Sequence, residues 1–409
     1  MPDHLKSPSL QINPPVLRVL GTGVTLIDTI LASAEADLGI RLDFIALDGI
    51  EAQRRGVLAP DSFDIYDQWF HDLDLIWPAR SLRPIDVSRI NCWDQVRNWP
   101  VLRAGADRDV PNGDTLNRDN LNGGVLSGSP LDRLFVQESG ELGCEDTGRI
   151  SMLPTVYNAD SFAIIGESSA PDPTSWGDLL SEDWRGRVAI QADAAIGVPD
   201  LLLALRTRGE FQCENPGNLS LSEIGSFIRL VKQYQLSGHF AGFWTDTTPS
   251  TGRSAKLSTM WWSNYLSQKA RGMPIRMCAP AEGYRGWCGG MALSQSLDPR
   301  TEELAYAYLN WWLSGPAGAI MARNGAYMAA PGAARAHLSP VEWDFWYDGK
   351  PAAADICDAF GNVVYHPGDL REGGSCETRQ RQIVIWNSVM EEHNFLVRLW
   401  EVITSKALI

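Results

Sequence analysis

Apolar and polar positions order the first 80 residues as strand, helix, strand. The run "LRVLGT" from Leu17 is extended and apolar, and "RLDFIAL" repeats that character after a polar break. Between them, "LIDTILASAEADLGI" puts Leu26, Ile27, Ile30, Leu31, Ala34 and Leu38 on one helical face. Thr25 and Asp28 are spaced as a capping box, and Gly39 is a stop. The third run, "FDIYDQW", makes this the start of an open α/β sheet. Residues 105–150 turn rich in Gly, Asn, Asp and Ser and read as a surface insertion.

A second α/β pattern begins near Ser161 with "FAIIG", "SWGDLL", "WRGRVAIQ" and the helix "PDLLLALRTRG". In "SLSEIGSFIRLVKQYQ" Ser222 is the expected cap, and Ile224, Phe227, Ile228 and Val231 share a face. Leu304, Tyr308, Trp311 and Trp312 share another, which makes the tryptophan pair core. The last run, "RQRQIVIWNSVMEEHNFLVRLWEVIT", reads as one long amphipathic helix. The alternation fits two α/β lobes joined by more than one crossing. Ligands of open α/β sheets sit at the carboxyl ends of strands.

Composition narrows the function. A chain of 409 residues with 44% apolar content can bury more than one core. A net charge of −15 and a pI near 4.9 exclude a phosphate-binding surface and favour small cations. No apolar run reaches the roughly 20 residues of a membrane-spanning helix, and "MPDHLKSPSLQINPP" lacks a signal-peptide core. The chain is then cytoplasmic, or a mature form without its leader.

Catalytic motifs are missing. "GTGVTL" has Leu26 where a dinucleotide fingerprint needs its third Gly. "DRDVPNGD" resembles a calcium loop, but Pro111 occupies a ligand position, so an Asn-Gly turn is the better reading. The six His residues form no zinc motif, and no G-x-S-x-G elbow or P-loop is present. No cofactor or metal is expected. Of the seven Cys, Cys278 and Cys288 flank the Pro280–Gly286 turn, where a bridge and two buried thiols are both open readings. Cys357 and Cys376 bracket another loop.

Two stretches carry a resemblance. "DPTSWGDLLSEDWRGRVAIQADAAIGVPDLLLALRTRG" and "LSTMWWSNYLSQKARGMPIRMCAPAEGYRGWCGGMALSQ" with its continuation to "AAPGAA" resemble the solute-binding proteins of ABC importers, in the spermidine/putrescine-binding branch. The likeness runs from about Leu17 to His337. It implies a two-lobe periplasmic-binding-protein fold with hinge crossings and a ligand cleft between lobes. The first lobe combines 15–157 with 290–335, and the second 158–289 with 336–409, in which 345–380 is an added loop. Crossings near 158 and 288 predict two separate sheets. The resemblance further implies a periplasmic location, a permease in the inner membrane as partner, and a monomer rather than an enzyme. An exported chain makes the Cys278–Cys288 bridge the expectation.

The resemblance also names a site. The family's hinge tryptophan falls on Trp287 and its second cleft tryptophan on Trp261, with Trp262 as the alternate register. Trp69 and His71 in "YDQWFH", Thr22, Thr25, Glu282 and Arg285 complete the candidate set. Polyamine binders surround ammonium groups with carboxylates, because a buried charge needs a partner. Here three family acids fall on Val24, Ile196 and Gly289, and only Asp193 keeps its carboxylate. An aromatic cleft of that kind suits one diffuse positive charge. The expected ligand is a small onium solute: dimethylsulfoniopropionate, glycine betaine or choline. A zwitterion also needs a carboxylate anchor, for which Arg285, Arg253, Thr22 and Thr25 are the candidates. The alternatives are a polyamine-binding protein and, from another class, a small-molecule enzyme.

Overall fold

The computed structural model describes residues 14–97, 129–166, 171–245 and 255–405. The calcium-like loop, its Asn-Gly turn and Arg253 lie outside them. The chain starts as its pattern dictates, with β1 (Val16–Gly21), α1 (Asp28–Leu38), β2 (Arg41–Ala46), α2 (Gly49–Leu58) and β3 (Ile65–Trp69). β1 lies between β2 and β3, parallel to both. Gly39 ends α1 in the left-handed conformation at φ 63°. The capping box does not form: the N-cap is Ile27, whose apolar side chain can accept no bond, and Thr25, two residues earlier, is bonded to Asp67 instead.

Two long strands organise the rest. β4 (Leu153–Ile165) is buried along all 13 residues. After it come β5 (Val188–Gln191), α3 (Ala194–Thr207), α4 (Leu221–Leu236), β6 (Phe240–Trp244), β7 (Leu257–Met260), α5 (Trp262–Ala270) and β8 (Ile275–Met277). The second long strand is β9 (Tyr284–Ser294), followed by α6 (Pro299–Leu313) and α7 (Pro316–Arg323). Among the described residues the strand order is β6-β5-β7-β4-β9-β3-β1-β2.

β4 changes partners midway. From Leu153 to Asp160 it runs antiparallel to β9, and from Ser161 onward to β7 and β8. β9 likewise meets β3 through Gly289–Leu293. The expectation of two separate sheets is therefore corrected: both sets of strands share β4, which passes from β9 to β7 and β8, so one strand order runs through them. Two hydrophobic cores flank it. The smaller is built from α3, α4 and the C-terminal helix around Trp176, Phe227, Phe243 and Trp400. The larger contains Trp312, buried completely, with Tyr308 and Trp311.

Three further expectations change. The terminal run is not one helix: it forms α8 (Cys376–Arg381), β10 (Ile383–Trp386) and α9 (His393–Thr404). The β-branched stretch Ile383, Val384, Ile385 pairs parallel to β9 instead. Residues 129–150 are not a mere surface insertion, since Phe135, Val136 and Ile150 are buried in a four-stranded sheet with Ile85–Asp86. Residues 345–380 are not a loose loop either. Phe345, Trp346 and Tyr365 are buried there, and Arg371 and Arg379 are almost wholly enclosed. α4 is capped by Ser220 rather than Ser222, because Ser220 and Glu223 satisfy each other reciprocally.

No disulfide joins Cys278 and Cys288, and all seven thiols are free. Cys278 follows β8 and donates its backbone N–H to Phe162, whereas Cys288 pairs with Tyr157. Five residues along one strand separate these partners by roughly 17 Å, far beyond disulfide reach.

Candidate functional site

The carboxyl ends of the parallel strands converge on the crossing strands. Thr22 follows β1, Trp69 ends β3, Asp193 lies just beyond β5, and Trp261 follows β7. Trp287 comes from the middle of β9. Three tryptophans distant in sequence thereby meet. The Trp69 and Trp261 rings are near parallel, 16° apart with centroids 6.0 Å apart. Trp287 stands across both, 5.1 Å from Trp69 at 75° and 5.8 Å from Trp261 at 89°. Each is about 5% exposed: 6% for Trp69, 5% for Trp261 and 4% for Trp287. The three rings thus pack against one another, with the Trp287 face near perpendicular to the other two.

A polar system unread in the sequence lies beside the rings. The Trp287 Nε1–H donates to Oδ2 of Asp160 on β4, 2.6 Å away. In register with Asp160 on the paired strand is Arg285, so the two side chains share a face. Arg285 Nε donates to Oδ1 of Asp200 at 2.7 Å and Nη1 to Oδ1 of Asn387 at 2.7 Å. The guanidinium lies 5.3 Å from the Trp261 ring centre. With Arg285 1% exposed and Asp200 not at all, this ion pair is enclosed. Burial pushes the Asp160 carboxyl up to about 6, against the pull of Arg285, the Trp287 hydrogen bond and Arg379.

Asp200 reaches Arg285 from the interior of α3, where Pro199 removes a backbone donor. The carbonyl freed four residues earlier, on Ala195, accepts the N–H of Ser388 at 3.4 Å instead. That bond docks the segment bearing Asn387 against α3. A signal for Asp160 was present: it is the one charged residue in the strand Leu153–Ile165, two positions from Asn158, and both are buried.

The remaining candidates are dispersed. Thr25 is bonded to Asp67, whose carboxyl burial raises to about 7. Gly21 lets β1 approach there, since a Cβ would lie 2.3 Å from the Asp67 carbonyl oxygen. Thr22 accepts the Val24 N–H at 3.4 Å. His71 is buried and held neutral, its pKa lowered to about 3 by burial and then by Arg133, Arg285 and His393. Asp193 caps α3 by accepting the Ala195 N–H at 2.8 Å, and the Asp72 carboxyl is raised by burial first and then by the charge of Asp193. Glu282 is fixed outside the tryptophan cluster: its two oxygens accept from the Ser175 hydroxyl at 2.6 Å and the Trp176 N–H at 3.1 Å. It locks the Pro-Ala-Glu-Gly turn to the Ser-Trp element.

Trp262 opens α5 on the far side of Trp261, buried under Arg371 and Arg379. A cavity of about 10 Å³ lies between these elements, lined by Val24, Asn158, Trp261, Trp262, Trp287 and Asn324 among others. That is room for barely one water. Of the acid positions lost relative to the resemblance, Val24 lines this cavity. Ile196 is core, and Gly289 faces Val156 and Trp69. Among the described residues no group of His, Cys, Asp and Glu is placed to hold a metal ion.

Residues 148–348 match the family described as bacterial extracellular solute-binding protein, a family of solute binders rather than enzymes. The fold of the chain is the two-lobe α/β fold of periplasmic binding proteins. The chain is similar to the spermidine/putrescine ABC transporter substrate-binding protein PotD from Streptococcus pneumoniae, with 12% identity, a TM-score of 0.59, and coverage of 95% of this chain and 99% of that one. The Tp0655 (TpPotD) lipoprotein of Treponema pallidum matches at 11% identity and TM-score 0.60, over 95% and 99% of the two chains. A periplasmic thiamin binding protein matches at 14% and 0.54, over 96% of each. At these identities the likeness is one of fold. No curated protein sequence matches significantly.

Proposed function

We propose that this chain captures a small onium solute in its aromatic cleft and delivers it to an ABC permease outside the cytoplasm. The observation that carries the reading is the tryptophan cluster, in which Trp287 stands near perpendicular to the Trp69 and Trp261 rings. Indole faces attract a cation by their quadrupole, and a methylated onium brings no N–H donors that need acceptors. The surrounding charge supports one cation rather than several. Asp200 is already neutralised by Arg285, and Asp160 faces the guanidinium groups of Arg285 and Arg379. A second ammonium has no free carboxylate lining the cavity beside Trp261, while each unpartnered buried charge costs several kcal/mol.

The lobes that fit this function are 15–157 with 290–335 and 158–289 with 336–409, joined at β4 and β9. A cavity of about 10 Å³ beside Trp261 and Trp287 is smaller than an onium head, so solute must enter as the lobes part and be enclosed as they close. The family match supports a permease as the partner that takes up the solute.

Calorimetry with choline, glycine betaine, dimethylsulfoniopropionate, putrescine and spermidine tests the reading. At least one methylated onium compound binds, and Trp287→Ala weakens it by on the order of 1–3 kcal/mol through lost cation–π contact and burial. Tight spermidine binding with no response to any onium compound overturns the proposal in favour of a polyamine.

A further inference from the structure

The cavity between Trp261, Trp287 and Asn324 has a chemistry of its own. No carboxylate lines it. Its floor is the N-terminus of α5, a nine-residue helix whose first intrahelical bond runs from the Tyr265 N–H to the Trp261 carbonyl at 3.0 Å. The N–H groups of Trp262, Ser263 and Asn264 precede that bond, and the N-cap Trp261 offers them no side-chain acceptor. Free donors and the helix dipole together favour an anion at such a terminus.

Two side chains point to the same ligand chemistry. The indole N–H of Trp262, a residue 2% exposed, has no partner within the protein. Asn324, 8% exposed, also lines the cavity, and its side-chain amide makes no hydrogen bond among the described residues. Behind Trp262 the field is positive. Arg371 and Arg379 lie 4.4 and 4.8 Å from its ring centre, each bonded to backbone carbonyls, of Trp346 and Gly325 and of Glu372 and Ala159. The nearby Glu372 carboxylate is held away by the hydroxyls of Tyr265 and Tyr365.

We infer that this cavity is a carboxylate subsite, and that the solute is a zwitterion: its onium head lies against Trp261 and Trp287, and its carboxylate is held by the α5 N–H groups, Trp262 Nε1 and the Asn324 amide. The inference rests on the onium reading and goes further, selecting betaine-type solutes over choline. The two subsites adjoin, since Trp261 and Trp262 are consecutive residues with Cα atoms about 3.8 Å apart. Arg285, already paired with Asp200 and Asn387, is not the anchor.

The test is calorimetry of the full chain with glycine betaine, dimethylsulfoniopropionate, choline and glycine betaine methyl ester, which keeps the onium and masks the carboxylate. The carboxylates bind at least about ten-fold tighter than choline or the ester, as charge-assisted hydrogen bonds to one anion require. Asn324→Asp, nearly isosteric, places a negative charge in the subsite and inverts the preference. Trp262→Phe removes one donor and lowers the betaine-to-choline ratio about five-fold, with thermal melting checking that both variants fold. Equal affinity for choline and betaine in the wild type overturns this inference and leaves the onium reading standing. A betaine preference that survives both substitutions places the anchor elsewhere and overturns it too. Absence of binding by every onium compound removes the functional reading itself, and the inference with it.

Discussion

The Trp287 indole N–H and the Asp160 carboxylate are joined by a 2.6 Å hydrogen bond between the two crossing strands. A ring whose edge is fixed by a carboxylate presents its face at a set angle. On the proposed reading, the same carboxylate offsets the charge of a cation resting on that face. The other Asp160 oxygen, Oδ1, is buried without a hydrogen-bond partner, so its ionisation is sensitive to any new charge nearby.

Cation affinity is expected to depend on this group. With the Asp160 carboxyl raised to about 6, the site is anionic at pH 7.5 and largely protonated at pH 5. Affinity for a quaternary ammonium solute, whose own charge is constant, falls about ten-fold between those values. Asp160→Asn flattens the profile. Calorimetry across pH 5–8 decides the matter, and a flat wild-type profile counts against a role for Asp160.

Stability carries the same signature with a worked sign. The folded-state pKa of Asp160 lies above its unfolded value near 3.8, so between about pH 4 and 6 the folded state binds more protons than the unfolded. Ionisation then costs stability as pH rises through that window, and the cost levels off above about 6. Relative to wild type, Asp160→Asn gains on the order of 3 kcal/mol from pH 4 to pH 7. Asp67 titrates in both proteins and cancels in the difference. Urea melts of the two at the two pH values measure it, and no differential change contradicts the burial argument.

The enclosed pair of Arg285 and Asp200 predicts an asymmetric response. Asp200→Ala leaves a buried guanidinium with Asn387 as its remaining side-chain hydrogen-bond partner and destabilises by about 3–5 kcal/mol. Replacing both, as Arg285→Met with Asp200→Leu, recovers most of that loss. Denaturant titration of the three variants gives the coupling, and a double variant no better than Asp200→Ala would refute it.

All seven cysteines being free, alkylation in denaturant labels every one without a reductant. In the native protein Cys278, Cys288 and Cys376 label last, because all three are buried and burial pushes their thiol pKa values up, for Cys278 to about 12 and for Cys376 to about 11. The thermal midpoint is unchanged by dithiothreitol. A peptide map with Cys278 linked to Cys288 would contradict the separation of their strands.

The sequence by itself determined the elements whose periodicity is local. The buried faces of α4 and α6, the Gly39 stop and the three opening strands were legible, because side-chain spacing on one helix or strand is fixed by backbone geometry. The resemblance singled out Trp261 and Trp287, and these two rings meet each other and Trp69. Only the tertiary structure decided what depends on register between distant strands. Asp160 became the partner of Trp287, and Asp200 that of Arg285, through pairings that span 127 and 85 residues. The same register parted Cys278 from Cys288 and drew Ile383–Trp386 out of a helix into a strand beside β9. Local spacing cannot encode such choices, since a one-residue slip in pairing turns every side chain to the opposite face.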